Sequence, residues 1–213
     1  AALEALADRV AADTAPELAA YGPAVPEPGP LNLANLPAAI ASTLPDGAVV
    51  VDEANTSGLG LPTALARAAR HTLLTLTGGA IGQGMPVATG AAIAAPDRAV
   101  LNLEADGSAL YTIQSLWTQA RERSNITTVV LNNSAYAILR MELARTSASD
   151  TPGAASARML DLSDPTPDFV HLATGLGVSA SRATTAEELA DQLTAAYAEP
   201  GPHLIEAIVP PIL

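Results

Sequence analysis

Two apolar runs, Ala99-Val100-Leu101-Asn102-Leu103 and Ile126-Thr127-Thr128-Val129-Val130-Leu131, decide the fold. The first leads into Glu104-Ala105-Asp106-Gly107-Ser108 and the second into Asn132-Asn133, with a helix-length segment between them. Short, nearly continuous apolar runs predict strands buried on both faces, as in a parallel sheet. The polar clusters then mark the carboxyl ends of two strands, which is where open α/β sheets bind ligands. A carboxylate and a neutral carbonyl oxygen suit a hard cation, and Asp106 and Asn133 supply one of each.

Outward from that pair the chain alternates strand and helix signals. Strands are predicted at 48–51, 71–76, 99–103, 126–131, 177–180 and 203–209. Helices are predicted at 36–44, 85–95, from Ser108 onward, at 168–174 and from Thr185 through Ala198. Ser108 reads as a helix cap, followed by an apolar face of Leu110, Ile113, Leu116, Trp117 and Ala120. Phe169, Leu172 and Ala173 read as inward, with Gly175 as the stop of their helix. Thr185-Ala186-Glu187-Glu188 is a capping box. The result is an α/β fold: a three-layer, doubly wound, mainly parallel six-stranded sheet.

Two segments fall outside this alternation. Residues 1–12 favour helix, but five prolines follow between Thr14 and Pro30, so residues 1–30 read as a linker or arm from a preceding domain. The domain proper then runs over 31–213. Residues 141–167 lack apolar periodicity and read as one long irregular segment, either an active-site loop or a disordered one.

At 213 residues one sizeable core is expected, built from Ala, Leu, Val and Ile because aromatics make up only 3%. The net charge of −12 and the lack of a basic face argue against nucleic acid as a partner. There is no Cys, which excludes disulfides and thiolate metal sites. No apolar run approaches a membrane span and no signal pattern opens the chain, so no membrane partner and a cytoplasmic location are the default expectations. The chain opens on Ala1-Ala2-Leu3 rather than Met, as a fragment of a longer protein would.

Taken singly, each polar cluster has a plain alternative. Asp106-Gly107-Ser108 fits a turn plus a helix cap, and Asn132-Asn133 is common strand-end chemistry. Gly78-Gly79 and Gly82-Gln83-Gly84 fit a tight strand-to-helix turn as well as a close backbone approach to a phosphate. Asn55-Thr56-Ser57 fits a helix cap. Their convergence on one sheet edge is what singles them out.

Asp106-Gly107-Ser108 followed at this separation by Asn132-Asn133 resembles the diphosphate-and-metal signature of thiamine-diphosphate enzymes. Residues 73–95, 109–117 and 132–140 are similar to the acetolactate synthase and benzoylformate decarboxylase branch, and the resemblance covers roughly residues 31–209. It implies thiamine diphosphate and Mg²⁺ as cofactors, with the metal held by Asp106, Asn133 and the Ala135 carbonyl. Asn55, Thr56, Gly107 and Ser108 would bind the diphosphate, and Asn133 and Tyr136 would be further cofactor-binding residues. The Gly79 carbonyl would accept from the aminopyrimidine, and Ile81 would prop the two rings into a V. Bending brings the amino group beside the thiazolium C2 proton, and the ring then stores the electron pair when a 2-oxo acid loses carbon dioxide.

The sequence departs from the family in places. Ala105 stands where the family usually has Gly. Leu139 stands where some pyruvate-type decarboxylases carry an acid, and Leu139 and Glu142 are candidates for the substrate pocket, Glu142 equally for an exposed helix face. The glutamate that activates the aminopyrimidine belongs, by the resemblance, to a pyrimidine-binding domain of the same or a partner chain. His71, His171 and His203 offer no substitute. These features imply a 2-oxo acid substrate, carboligation by an acetolactate synthase-like enzyme, a homo-oligomer, and no activity of this chain alone. A benzoylformate decarboxylase-like activity and a non-catalytic diphosphate-binding or structural domain are the alternatives.

Overall fold

The computed structural model describes residues 2–10, 20–146 and 153–211. The prolines and loop residues expected within 11–19 and 147–152 lie outside that description. Six strands form one sheet: β1 (Ala48–Glu53), β2 (His71–Thr75), β3 (Val100–Ala105), β4 (Ile126–Asn132), β5 (Ser179–Ala183) and β6 (Pro202–Ile208). Every pairing is parallel, in the order β2-β1-β3-β4-β6-β5. The expected doubly wound α/β sheet is therefore present.

The helices are α1 (Ala2–Arg9), α2 (Asn35–Thr43), α3 (Leu61–Leu65), α4 (Gly84–Ala94), α5 (Asp106–Thr112), α6 (Ser115–Arg121), α7 (Ala137–Thr146), α8 (Ala154–Met159), α9 (Phe169–Gly175) and α10 (Ala186–Ala198), with a 3₁₀ turn at Asn55–Gly58. One layer packs Leu36 and Ile40 of α2, Leu61 and Leu65 of α3, and Leu189 and Leu193 of α10 onto Val50, Leu101, Leu103, Val129 and Ile205. The other places Met85, Ala88, Ala92, Leu116, Phe169 and Ala173 on Val49, Val51, Val100, Ile126, Val130 and Leu204. Both faces of the central strands are buried, which is why they read as nearly continuous apolar runs.

The strand order places the topological switch between β1 and β3. From β1 the chain turns outward to β2; from β3 it turns the other way to β4. The crevice beyond those two carboxyl ends is the expected ligand position in such a sheet.

Residues 20–31 lie over this framework as an arm. Gly22 N donates to Arg67 O, Leu31 N to Thr184 O, and Ala186 N at the start of α10 to Gly29 O. The capping box of α10 is formed by Thr185 and Glu188.

Several local expectations are corrected. The segment after Ser108 is two short helices, α5 and α6, so the face re-phases: Leu116 is buried while Leu110 and Trp117 are exposed, the latter beneath Arg121. Ser108 does not cap; the helix starts at Asp106 with Ala105 in extended backbone. Leu172 is partly exposed, and the left-handed residue ending the α9 turn is Gly177 rather than Gly175. β5 begins at Ser179 because Gly177 serves that turn.

Residues 141–167 are not one irregular stretch, since they include the end of α7 and all of α8. Of the α7 residues only Ala137 is buried, so that helix rests on the propensity of Leu, Arg, Met and Glu and carries no apolar stripe to detect.

Candidate functional site

The parallel register pairs Ala105 with Leu131, which sets Asp106 beside the chain leaving β4. Asp106 is buried at 3% exposure, and its carboxylate collects three backbone N–H groups: Gly107 at 2.7 Å, Asn133 at 3.0 Å and Ser134 at 2.7 Å. One side chain thus closes its own helix start and the neighbouring strand's turn. Ser134 sits at φ +56°, a left-handed conformation that a non-glycine residue holds only when its surroundings impose it.

Those surroundings are specific. Asn132 Oδ1 accepts from Ser134 N at 3.0 Å, while Asn132 Nδ2 donates to buried Glu206 at 2.7 Å. Arg182 Nε donates to the other Glu206 oxygen at 2.9 Å, so that buried carboxylate is paired on both sides. Asn133 Oδ1 accepts from Ala135 N at 3.0 Å, and its Nδ2 donates to Ser57 Oγ at 3.1 Å. A backbone strap completes the turn: Tyr136 N donates to Leu160 O at 3.1 Å and Leu162 N to Ser134 O at 2.9 Å. Gly107 packs so closely under Tyr136 that a Cβ there would stand 2.5 Å from the ring.

The opposite lip comes from β1. Asn55, at φ +50°, donates from Nδ2 to Glu53 O at 3.1 Å and across the switch point to Ser108 Oγ at 3.0 Å. That bond explains why Ser108 is not a cap: its hydroxyl is turned toward β1. Beyond β2, Gly78, Gly79 and Gly82 all have positive φ, and Ile81 N donates to Gly79 O at 3.1 Å in a tight turn. A carbonyl has two lone pairs, so Gly79 keeps one for another donor. Glu53 Oε1 and Oε2 accept from Gly82 N and Gly84 N, each at 2.5 Å.

Two carboxyls meet beneath this lip, since Glu53 and Glu104 are neighbours across β1 and β3 and both are buried. Burial first, and the Glu53 charge second, push the Glu104 carboxyl up to about 9. Glu104 is therefore neutral near pH 7. Burial also raises the Asp106 carboxyl, against the lowering effect of the N–H groups of Gly107, Ser134, Asn133 and Ala135.

A cleft opens between the lips. It is lined at the turns and strand ends by Asn55, Thr56, Ile81, Ala105, Asp106, Gly107, Ser108, Asn133, Ala135 and Tyr136, and by Ala137 and Ile138 at the start of α7. The structure thus brings together Asn55, Thr56, Ile81, Asp106, Gly107, Ser108, Asn133, Ala135 and Tyr136. Gly79 stands two residues before Ile81 on the exposed loop and does not line the cleft.

Leu139 and Glu142 lie farther along α7, outside the lining; Leu139 is half-exposed and Glu142 pairs with Arg145 at 2.6 Å. His71 and His203 stand at the starts of β2 and β6, at the other end of the sheet, and His171 pairs with Asp168 on α9.

Three further residues, to which the sequence assigned no role of their own, brace this arrangement. Ser57 holds the Asn133 amide, Glu206 holds Asn132, and Glu53 holds the glycine loop. The signal for Ser57 was its place in the Asn55-Thr56-Ser57 cluster, and for Glu53 and Glu206 it was polarity within otherwise apolar strands; none of these points to a partner.

The donor set suits a hard cation that brings its own oxygen ligands. Among the described residues no group of three acidic, His or Cys side chains could hold a metal unaided. What the cleft offers is one buried carboxylate, one amide oxygen and backbone carbonyls, which leaves most of an octahedral shell to be filled by phosphate and water. A cation beside Asp106 would also oppose the burial that now disfavours its charge.

Comparison with known proteins agrees with this architecture. Residues 56–207 match the model of the thiamine pyrophosphate enzyme, C-terminal TPP binding domain. The chain is 55% identical over its full length to the "Putative acetolactate synthase large subunit IlvX" of Mycobacterium tuberculosis, spanning 41% of that protein. It is 34% identical over 96% of its length to a benzoylformate decarboxylase of Pseudomonas aeruginosa, spanning 38% of it. A thiamine diphosphate-dependent 4-hydroxybenzoylformate decarboxylase of Rhodococcus jostii superposes with a TM-score of 0.75 and 33% identity, over 92% of this chain and 36% of that one. The chain thus spans about two fifths of its relatives' length, and it belongs to the thiamine pyrophosphate enzymes as their C-terminal, TPP-binding domain.

Proposed function

We propose that this domain binds Mg²⁺ and thiamine diphosphate in the cleft between β1 and β3, within an acetolactate synthase-like enzyme that decarboxylates a 2-oxo acid and joins the remaining fragment to an acceptor. The observation that carries the reading is the Asp106-centred turn, where one buried carboxylate, the Asn133 amide and the Ala135 backbone meet at the mouth of a cleft. Asp106, Asn133 and the Ala135 carbonyl would hold the metal. Asn55, Thr56, Gly107, Ser108 and Tyr136 would hold the diphosphate, and Gly79 and Ile81 would position the rings.

When bound, the thiazolium ring supplies an electron sink for decarboxylation, which no protein side chain offers. The chain's own part is binding, orientation and exclusion of water. The N–H groups that fix Asp106 keep its oxygens in place before the cation arrives, so little ordering remains at binding. Ile81, at the cleft wall, presents an apolar surface that would prop a bent cofactor. Among the described residues Asp106 is the one acid lining the cleft, so the ring-activating glutamate would come from a pyrimidine-binding domain, of the same or a partner chain, within a homo-oligomer. On this reading the 213 residues bind cofactor but do not turn over substrate.

Calorimetric titration tests the binding claim. Thiamine diphosphate should bind the wild-type chain with Mg²⁺ present, and Asp106→Asn should weaken it about a hundredfold, as loss of a charged ligand implies. Equal affinity in the variant would remove Asp106 from the metal site. A benzoylformate decarboxylase-like activity is the second reading, favoured by the Pseudomonas and Rhodococcus relatives. Product analysis on the longer protein, with pyruvate against benzoylformate, separates the two.

A further inference from the structure

The loop over residues 77–83, between β2 and the first residue of α4, has little of its own to hold it in place. Gly78, Gly79 and Gly82 adopt positive φ, and the bonds from Ala80 N to Thr77 O and from Ile81 N to Gly79 O lie inside the loop. These shape it without attaching it to the sheet. Leu73 and Leu74 before it are exposed on the edge strand, and Ile81 is 36% exposed.

Attachment comes from Glu53, the last residue of β1, which is 1% exposed. Its two carboxylate oxygens accept from Gly82 N and Gly84 N at 2.5 Å each. The backbone is pressed onto the acids here: a Cβ at Gly84 would lie 3.0 Å from Glu53 Oε2 and closer still to Glu104. The backbone carbonyl of the same Glu53 accepts from Asn55 Nδ2 at 3.1 Å, and Asn55 in turn reaches Ser108. One residue therefore ties the glycine loop to the lip on which the diphosphate-side residues stand.

We propose that Glu53 is a positioning residue, which sets Gly79 and Ile81 at a fixed distance from the Asp106 cleft by gripping the backbone of Gly82 and Gly84. The inference rests on the cofactor reading above, since it assigns the two lips to the ring and diphosphate ends of one ligand. Glu53 itself touches neither end. A side-chain amide cannot replace it, because Glu53→Gln would present a donor to one of the two N–H groups and leave that group unpaired.

The experiment uses the whole 213-residue chain and two probes, thiamine diphosphate and inorganic pyrophosphate, each titrated with Mg²⁺ in excess. Glu53→Gln should weaken thiamine diphosphate at least tenfold, as loss of a buried charge-assisted hydrogen bond implies, while pyrophosphate stays within about twofold. A merely structural role would weaken both probes alike, and that result, or no change in either, overturns the proposal.

A cofactor-free measurement guards against a variant that does not fold. In the wild-type chain the Gly82 and Gly84 amide protons should resonate far downfield and exchange slowly; ordinary shifts and fast exchange would overturn the clamp. If the wild-type chain binds neither probe, the cofactor reading falls, and the amide measurement still decides the clamp by itself.

Discussion

The two lips of the cleft are built by opposite means. On the β3/β4 side a buried turn is held from every direction: Asp106 takes three N–H groups, Asn132 and Asn133 each take one, and the Leu160–Leu162 strap adds two backbone bonds. On the β1/β2 side an exposed glycine loop hangs from one carboxylate. The first design suits a point ligand that must meet fixed oxygens, because coordination geometry tolerates little play. The second leaves backbone accessible where a ring must be approached closely. Rigidity is thus spread over many bonds in one lip and concentrated in a single residue in the other.

Several variants break or sharpen that contrast. The largest effect is expected beneath the loop lip, in the pH dependence of stability. Glu104 has its folded value raised from 4.5 to about 9, so the folded state holds a proton that the unfolded chain gives up at lower pH. Stability from this group is full below pH 4.5 and is lost as pH rises toward 9. Glu104→Gln should therefore gain on the wild type by a few kcal/mol between those limits, at about 1.4 kcal/mol per unit. Thermal melts at pH 5 and pH 9 check this, and parallel curves would show that Glu104 ionises normally.

Next comes Gly107→Ala on the rigid lip, where the added methyl meets the Tyr136 ring at 2.5 Å. Overpacking of this kind costs about 1–3 kcal/mol. Chemical denaturation should show that loss, and the same change in a Tyr136→Ala background should cost clearly less. An equal cost in both backgrounds would mean that the ring is not what the methyl meets.

The smallest effect separates two loop glycines. Gly79→Ala faces open space at φ +69°, so it bears only the left-handed penalty of about 1–2 kcal/mol. Gly82→Ala adds a contact of 2.7 Å with Tyr111 to a φ of +89° and should cost more. Equal melting temperatures would show that the loop moves freely away from α5.

Much of this was legible in the residues, and the reason differs from part to part. Strands β1, β3 and β4 are buried on both faces and mostly apolar, so their positions and parallel pairing follow from their short, nearly continuous apolar runs. Their polar ends marked the cleft, and nine of the ten residues proposed to hold metal or cofactor, or to wall the site, do line it. Helices without a buried stripe were invisible: α7 and α8 carry no apolar period, and α5 and α6 look like one helix until the chain turns between them. The bracing residues were illegible for another reason. Ser57 to Asn133 and Asn132 to Glu206 join positions more than seventy residues apart, |i−j| being 76 and 74, and strand order alone decides that they meet.

The central claim is that the two lips serve two ends of one ligand. A crystal structure of the chain with Mg²⁺ and thiamine diphosphate tests it most directly. The cation should be bound to the Asp106 carboxylate, the Asn133 amide oxygen and the Ala135 carbonyl, with the rings against Ile81. A diphosphate bound elsewhere, or a cation that leaves Asp106 free, would contradict it.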